Sequence, residues 1–262
     1  MDDYARRNSA MNGKVVFIHI PKCAGTSLRH AVSRSLDECG LENNLSARVE
    51  TRASVKAAEI LKRDVQLVRE QLLLYFMADP SCRFISGHFS FSELAYQQFS
   101  KEWSFIILLR HPVERWLSHF FFNRFKKGSH TRINMELADF LNTERARELG
   151  SEYVRRLAPA TRQINPVDTF SISQALENLE RLAMVGLVEK LDEFSVDFEK
   201  HFHLNIDFPH MNRNPAPERL LAALRNTELL RKVEYLCQPD LQIYDAATRR
   251  RNLLHCESSS MP

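Results

Sequence analysis

Hydrophobic and polar residues alternate along this chain in two different patterns. Short continuous apolar runs predict buried strands, and these runs are KVVFIHI (14–20), CRFISGHFSF (82–91), SFIILLR (104–110) and MVGLVEKL (184–191). Between and after them, apolar residues recur at helical spacing, which predicts helices over 26–36, 53–77, 113–125, 171–183, 191–202 and 229–251. Pro112 lies near the first turn of the helix over 113–125, and Pro239 interrupts the last helix.

This order of elements predicts the fold class. Strands that alternate with helices are typical of an α/β protein with a central, mostly parallel sheet flanked by helices. No internal repeat or linker divides the chain, so we expect one domain over 1–262, with loose tails at 1–12 and 257–262. Ligands of such sheets bind at the carboxyl ends of the strands. The candidate site therefore comprises the segments that follow strands, at 21–27, 87–88 and from Arg110 onward.

Composition narrows the class of protein. Of 262 residues, 44% are hydrophobic and 26% are charged, as in a globular protein, and a net charge of +3 gives no support to nucleic-acid binding. Five cysteines without C-x-x-C spacing argue against a disulfide framework or a zinc site. The N-terminus lacks the apolar stretch of a secretory signal, and no run reaches the roughly 18 apolar residues of a membrane span. We therefore expect a cytoplasmic protein without a transmembrane segment.

The turn after the first strand, PKCAGTS (21–27), has the composition of an anion-binding loop. Ala24 and Gly25 are small enough for backbone N–H groups to approach an anion, and the helix that follows directs its positive end to the same place. Further donors are the side chains of Lys22, Thr26 and Ser27. The lysine precedes the glycine, so the Walker pattern G-x-x-x-x-G-K-[ST] is absent. An ordinary turn with a surface lysine is the alternative interpretation.

Arg110 ends the strand over 104–110, where a Walker-B strand would end in an aspartate that helps to hold Mg²⁺. Ser118 follows one to two turns into the next helix, so the two side chains can bind one anion together. The alternative for both is a surface position. We interpret His111 and Arg115 as surface groups.

His88 follows Gly87 at the end of another predicted strand. A neutral imidazole there is suited to accept a proton near pH 7. By itself, the residue is better explained as a core histidine that makes one hydrogen bond.

In combination, PKCAGTS and RHPVERWLS resemble two motifs of the sulfotransferases that use 3′-phosphoadenosine 5′-phosphosulfate (PAPS). The first resembles the family's 5′-phosphosulfate loop, and the second its 3′-phosphate motif. FISGHFSF, MVGLVEKLDEF and PDLQIYDAA are similar to segments of the carbohydrate (heparan 2-O-type) branch, so the resemblance covers 14–248. His111 and the lack of a tyrosine in SHFFF depart from the family pattern.

The resemblance implies a P-loop-like sulfotransferase fold and an enzyme. The implied reaction moves a sulfuryl group from PAPS, as co-substrate, to a hydroxyl of an acceptor, on a saccharide or glycoconjugate, without a metal. Lys22 and His88 are the implied catalytic residues. A late polar loop, HMNRNP (210–215), adds two candidates to the implied PAPS-binding set, which is Lys22, Cys23, Ala24, Gly25, Thr26, Ser27, Arg110, Ser118, Asn212 and Arg213.

Two other classes of function stay open. A P-loop kinase or nucleotide hydrolase would bind ATP with Mg²⁺. A non-catalytic nucleotide-binding or partner-binding module of the same fold would bind the nucleotide, yet substitution of Lys22 or His88 would change no reaction rate.

Overall fold

Five parallel strands form a sheet in the part of the chain that the computed structural model describes, which is residues 11–38, 46–158, 167–208 and 215–259. The order across the sheet is β2–β3–β1–β4–β5. The bounds are β1 (Lys14–Ile18), β2 (Ser46–Val49), β3 (Phe84–Gly87), β4 (Trp103–Leu109) and β5 (Met184–Leu187). The predicted α/β fold with a parallel central sheet is confirmed; that the whole chain is one domain stays a prediction.

The central strand β1 explains why its sequence is apolar at every position. Consecutive residues of a strand point to opposite faces of the sheet. Val15, Val16, Phe17 and Ile18 are all fully buried, so both faces of the sheet are covered at this strand. A strand covered on both faces reads as a continuous hydrophobic run rather than as an alternation.

Helices connect the strands and pack on the sheet. Local sequence explains several of their ends: the Asp64 carboxylate accepts hydrogen bonds from the N–H groups of Gln66 and Leu67, and Pro112 occupies the first turn of its helix. The helices are α1 (Gly25–Glu38), α2 (Thr51–Leu61), α3 (Val65–Ala78), α4 (Glu93–Phe99), α5 (Pro112–Phe125), α6 (Leu137–Phe140), α7 (Glu144–Leu149), α8 (Glu152–Leu157), α9 (Thr169–Arg181), α10 (Leu191–Phe202), α11 (Pro217–Leu224), α12 (Thr227–Leu236) and α13 (Gln238–Ser259).

The structure differs from the sequence prediction at some elements. The strand β2 was not predicted, because it has only four residues and half of them are polar, as is common at a sheet edge. The helix predicted over 53–77 is two helices, since Lys62 adopts a left-handed conformation (φ 50°) and Asp64 caps a new start. The last predicted helix divides at Cys237, with Pro239 in the first turn of α13.

The boundaries of the predicted tails also shift. Met11 is buried, and the N–H of Asn12 donates to the carbonyl of Phe202 at 2.8 Å. At the other end, α13 continues to Ser259.

The topology directs three segments to one place. β1 pairs with β3 on one side and β4 on the other, so that Ile18 lies opposite Gly87 and Ile107. The chain leaves β1 toward the β2 edge, returns through β3 and then crosses to β4. The connections therefore diverge at the carboxyl end of β1, which is where ligands bind in open parallel sheets.

A second cluster of buried residues holds α5 in place. Trp116 and Phe120 of this helix pack with Phe140 of α6 and Val233 of α12. The helix α5 is therefore held in two ways: its first residue follows the end of β4, and the side of the helix that faces away from the sheet packs on α6 and α12.

Gly186 provides a test of packing beside β4. A Cβ atom added there would lie 2.3 Å from Cδ2 of Phe194 and 2.5 Å from Cδ2 of Leu108. We expect Gly186→Ala to lower the free energy of unfolding by about 1–3 kcal/mol because it overpacks the core. Urea denaturation monitored by circular dichroism measures this. Gly128→Ala is the matched control, since nothing lies within 4 Å of its added Cβ; equal stabilities of the two variants would contradict the described packing.

Candidate functional site

A cavity of about 910 Å³ opens at the carboxyl ends of β1, β3 and β4. Eight of the residues predicted from sequence line it: Lys22, Ala24, Gly25, Thr26, Ser27, His88, Arg110 and Ser118. Cys23 does not line it, and Asn212 and Arg213 lie outside the described residues. The structure thus brings together residues from three separate strand ends.

The loop after β1 has an unusual backbone. Lys22 and Ala24 both adopt left-handed conformations, with φ of 71° and 53°. Such values are uncommon for residues other than glycine, and they concentrate at functional sites. Left-handed residues in a turn help to orient successive N–H groups toward one point, which makes an anion-binding concavity.

Free amides lie at the start of α1. The first helical hydrogen bond runs from the N–H of Leu28 to the carbonyl of Ala24, at 3.0 Å. The N–H groups of Gly25, Thr26 and Ser27 precede it, and none has a backbone acceptor within the described chain. These amides, together with the positive end of a 14-residue helix, favour an anion in the cavity.

Gly25 has a second role that the sequence did not suggest. A Cβ atom at this position would lie 2.0 Å from Cδ2 of His19. The glycine therefore lets the His19 ring pack beneath the loop. His19 itself lines the cavity, although we had not predicted it as a site residue.

Cys23 is the one described loop residue of the predicted set that the structure removes from the site. Its side chain is fully buried, with Sγ 3.6 Å from the hydroxyl of Tyr153. Burial raises the pKa of the thiol to about 11. Its N–H donates to the carbonyl of Ile20 at 3.3 Å and is not available to an anion. The prediction that Cys23 contacts a cofactor is corrected on these grounds.

Lys22 is a half-buried cation without a counter-charge. Its Nζ lies 3.8 Å from the centroid of the Phe122 ring, and among the described residues it forms no ion pair. Burial, and then the charge of Arg110, lower the pKa of Lys22 to about 8. An aromatic face stabilises a cation only modestly. An anion in the cavity would supply the missing charge.

Arg110 offers less of its guanidinium than a free arginine would. Nε and Nη2 both donate to Oε2 of Glu114, at 3.2 and 2.9 Å. Nη1 makes no hydrogen bond within the described chain. If Arg110 binds an anion as predicted, it would do so through Nη1, unless Glu114 is displaced. Ser118 lies on the same helix as Glu114, and its hydroxyl likewise has no partner among the described residues.

His88 is held as a neutral ring in one tautomer. Its Nδ1 lies 2.6 Å from the carbonyl oxygen of His19. Because a carbonyl only accepts, Nδ1 carries the hydrogen, and Nε2 of the neutral ring keeps its lone pair. Burial, and then the charge of Arg156, lower the pKa of His88 to about 4. The role of His88 as a proton acceptor stays a prediction, and the free side chain is a weaker base than expected.

Two arginines hold the backbone of His88. Its carbonyl accepts hydrogen bonds from Nη1 of Arg69 at 2.9 Å and from Nη1 of Arg156 at 2.8 Å. Arg69 is fixed in turn by the hydroxyl of Ser54, and Arg156 by the buried carboxylate of Glu152. The two arginines together fix the position of His88, and their charges disfavour a further positive charge on its ring.

The surface interpretation of Arg115 is wrong. This residue is fully buried, donates to the carbonyl of Leu149 and lies 3.9 Å from Oδ2 of Asp240. His111 is half-exposed, and its N–H donates to Glu189 at 2.7 Å. Glu189 and Asp192 also line the cavity, from the end of β5. Asp192 directly follows the run predicted as a strand over 184–191, and Glu189 lies within that run, so only Asp192 could have been found by its place after a strand.

Comparisons with known proteins add no family. No protein-family model matches the chain, and a search of curated proteins found no match. Among the described residues, no group of three or more His, Cys, Asp or Glu side chains is arranged to hold a metal ion. No helix in that part of the chain is long and apolar enough to cross a membrane.

Three half-buried histidines predict that the protein loses stability in acid. Burial holds the pKa of His88 at about 4 and of His119 at about 3, and lowers the pKa of His19 below its usual 6.5. The unfolded chain binds these protons below pH 6.5, whereas the folded chain does not. We therefore expect the free energy of unfolding to fall between pH 6.5 and 4 by up to about 1.4 kcal/mol per pH unit for each histidine.

Urea denaturation at several pH values measures this slope. His119→Leu removes one of the three half-buried rings and should make the slope shallower. The exposed His130→Leu is the control for the substitution itself. A pH-independent stability between pH 6.5 and 4 would contradict the described burial.

Proposed function

We propose that this protein is a PAPS-dependent sulfotransferase that transfers a sulfuryl group to an acceptor hydroxyl, on a saccharide or glycoconjugate. The observation that carries the proposal is Lys22, a half-buried cation without an ionic partner in the described chain, beside three free amides. Its cavity also contains Arg110, Ser118 and a neutral His88. Two anion-binding ends and a proton acceptor are what this reaction needs.

The residues present fit such a co-substrate. A cavity of about 910 Å³ is of the size that binds small molecules in proteins. Lys22, Thr26 and Ser27 would hold the phosphosulfate end, together with the amides at the start of α1. Arg110 and Ser118 would hold the 3′-phosphate. Both sets follow strand ends that pairing places side by side.

In the reaction, Nε2 of His88 accepts the proton of the acceptor hydroxyl. The oxygen of that hydroxyl forms a bond to sulfur while the bond from sulfur to the bridging phosphate oxygen breaks. The electron pair of the broken bond stays on the bridging oxygen, and 3′-phosphoadenosine 5′-phosphate leaves. By analogy with phosphoryl transfer, the transition state is loose, so charge stabilisation is the main task of the protein.

Lys22 neutralises the charge that develops on the bridging oxygen. The amides of Gly25, Thr26 and Ser27 stabilise the sulfate oxygens from fixed positions, which costs little reorganisation. His88 is neutral at pH 7 because its pKa lies near 4. Negative charge in the cavity opposes the effect of Arg156 and raises that pKa, so His88 becomes a stronger base when the site is filled.

Nucleotide binding distinguishes this proposal from a kinase or nucleotide hydrolase. Calorimetry should show that 3′-phosphoadenosine 5′-phosphate binds more tightly than ADP or ATP, with or without Mg²⁺. We expect Arg110→Ala to reduce this preference by about 1.5–3 kcal/mol, as for a hydrogen bond to a charged group. Arg124→Ala is the matched control: its side chain is also 23% exposed and ion-paired, but it does not line the cavity. A preference for ATP with Mg²⁺ would overturn the proposal.

Turnover distinguishes an enzyme from a non-catalytic module. In an assay of labelled sulfate transfer onto a panel of glycans, lipids and phenols, Lys22→Met and His88→Gln should each lower kcat by about 100-fold or more. Their affinity for 3′-phosphoadenosine 5′-phosphate should change much less than kcat. His130→Leu, at an exposed position, should leave kcat unchanged. A wild-type protein that binds 3′-phosphoadenosine 5′-phosphate but transfers no sulfate would favour a binding module, and transfer at the wild-type rate by both variants would contradict the roles of Lys22 and His88.

A further inference from the structure

One buried hydroxyl connects the two anion-binding ends of the cavity. Tyr153 lies on α8, and its hydroxyl contacts both the loop after β1 and the end of β4. We propose that Tyr153 is a positioning residue that fixes Cys23 and Arg110 relative to each other, and so sets the spacing at which the site recognises a nucleotide phosphorylated at both ends. This inference rests on the proposed function.

The hydrogen bonds of this hydroxyl form a complete set. It donates its one hydrogen to the carbonyl of Arg110 and accepts from the N–H of the same residue at 3.0 Å. Because that hydrogen is used, the contact with Cys23 at 3.6 Å must have the thiol as the donor. One donor and two acceptor sites are thereby satisfied.

Tyr153 is itself held firmly. It is fully buried, and the guanidinium of Arg115 lies 5.5 Å from the centre of its ring. The N–H groups of Tyr153 and Val154 both donate to Oδ1 of Asp240, at 2.8 and 3.2 Å. The carboxyl group of Asp240, from α13, therefore fixes the start of α8, and the position of the hydroxyl follows from it.

Both partners of the hydroxyl matter to anion binding. Arg110 is the first residue after β4, where pairing in the sheet ends, and Tyr153 provides hydrogen-bond partners to both its N–H and its carbonyl. Cys23 lies between Lys22 and Ala24, the two left-handed residues of the loop. A hydroxyl that holds these two points controls where Lys22 and Arg110 leave the backbone.

Packing alone does not require a tyrosine here. A phenylalanine would fill the same buried space, and only the three contacts of the hydroxyl would be lost. The variant Tyr153→Phe is therefore a specific test of the hydroxyl. Loss of one neutral hydrogen bond changes an equilibrium by about 2- to 13-fold, which sets the size of the expected effect.

The experiment measures recognition of the 3′-phosphate as a ratio. Calorimetry gives the Kd of adenosine 5′-phosphate divided by the Kd of 3′-phosphoadenosine 5′-phosphate for the wild type, Tyr153→Phe, Arg110→Ala and the double variant. We expect Tyr153→Phe to lower this ratio by about fivefold, and to lower it no further in the Arg110→Ala background, because the hydroxyl acts through Arg110. Tyr75→Phe, at a position 70% exposed, is the control for the substitution.

The outcomes separate this role from the proposed function. A wild-type protein that does not prefer the 3′-phosphorylated nucleotide contradicts both. A wild-type protein with that preference, and a Tyr153→Phe variant that keeps it, contradicts only the role of Tyr153. An additive effect of the two substitutions also overturns it, since a general loss of packing would act independently of Arg110.

Folding of the variant is checked by circular dichroism and thermal unfolding. If Tyr153→Phe does not fold, Cys23→Ala tests the same contact from the side of the loop. That variant should weaken both nucleotides by about the same factor, roughly twofold or more, because the loop holds the 5′ end that they share. Unchanged affinities in Cys23→Ala would overturn the proposed link between the loop and Tyr153.

Discussion

The hydrogen bonding of β1 on both of its edges is the constraint on which the candidate site depends. β3 and β4 pair with it in parallel, so the segments after all three strands emerge at one end of the sheet. A short helix, α8, then braces these segments from outside the sheet. Tyr153 bonds to Cys23 in the loop after β1 and to Arg110 directly after β4, and Arg156 donates to the carbonyl of His88 after β3. The sheet brings the residues together, and α8 fixes their positions.

The arginines around this helix lie near carboxyl groups, whereas Lys22 does not form an ion pair within the described chain. Arg156 forms an ion pair with Glu152, and Arg110 forms one with Glu114. Arg115 lies near Asp240. Lys22 differs from these arginines, since within the described chain its cation meets only the ring of Phe122. Burying a cation without a partner is unfavourable, as the lowered pKa of Lys22 indicates. Such a group in a cavity is a candidate for binding an anionic ligand.

Local sequence predicted the parts of this arrangement that are local. Continuous apolar runs predict strands that are buried on both faces of the sheet. The small and polar residues of the loop from Pro21 to Ser27 likewise indicate an anion-binding turn without knowledge of its distant neighbours. Long-range contacts left no such pattern. Tyr153 lies 130 residues from Cys23, so the sequence around either residue does not indicate that the two are in contact. The inward direction of Cys23 depends on left-handed neighbours, and Arg115 was assigned to the surface because its partner Asp240 lies in a distant helix.

The pKa values of Lys22 and His88 are lowered by similar causes, and this links their behaviour. Burial lowers both, and the next largest cause is a nearby arginine, Arg110 for the lysine and Arg156 for the histidine. An anion that enters the cavity opposes both arginine fields at once. It keeps Lys22 protonated, which strengthens binding, and it raises the proton affinity of His88, which strengthens the base. Under the proposed function, the donor nucleotide would therefore activate the residue that accepts the acceptor's proton.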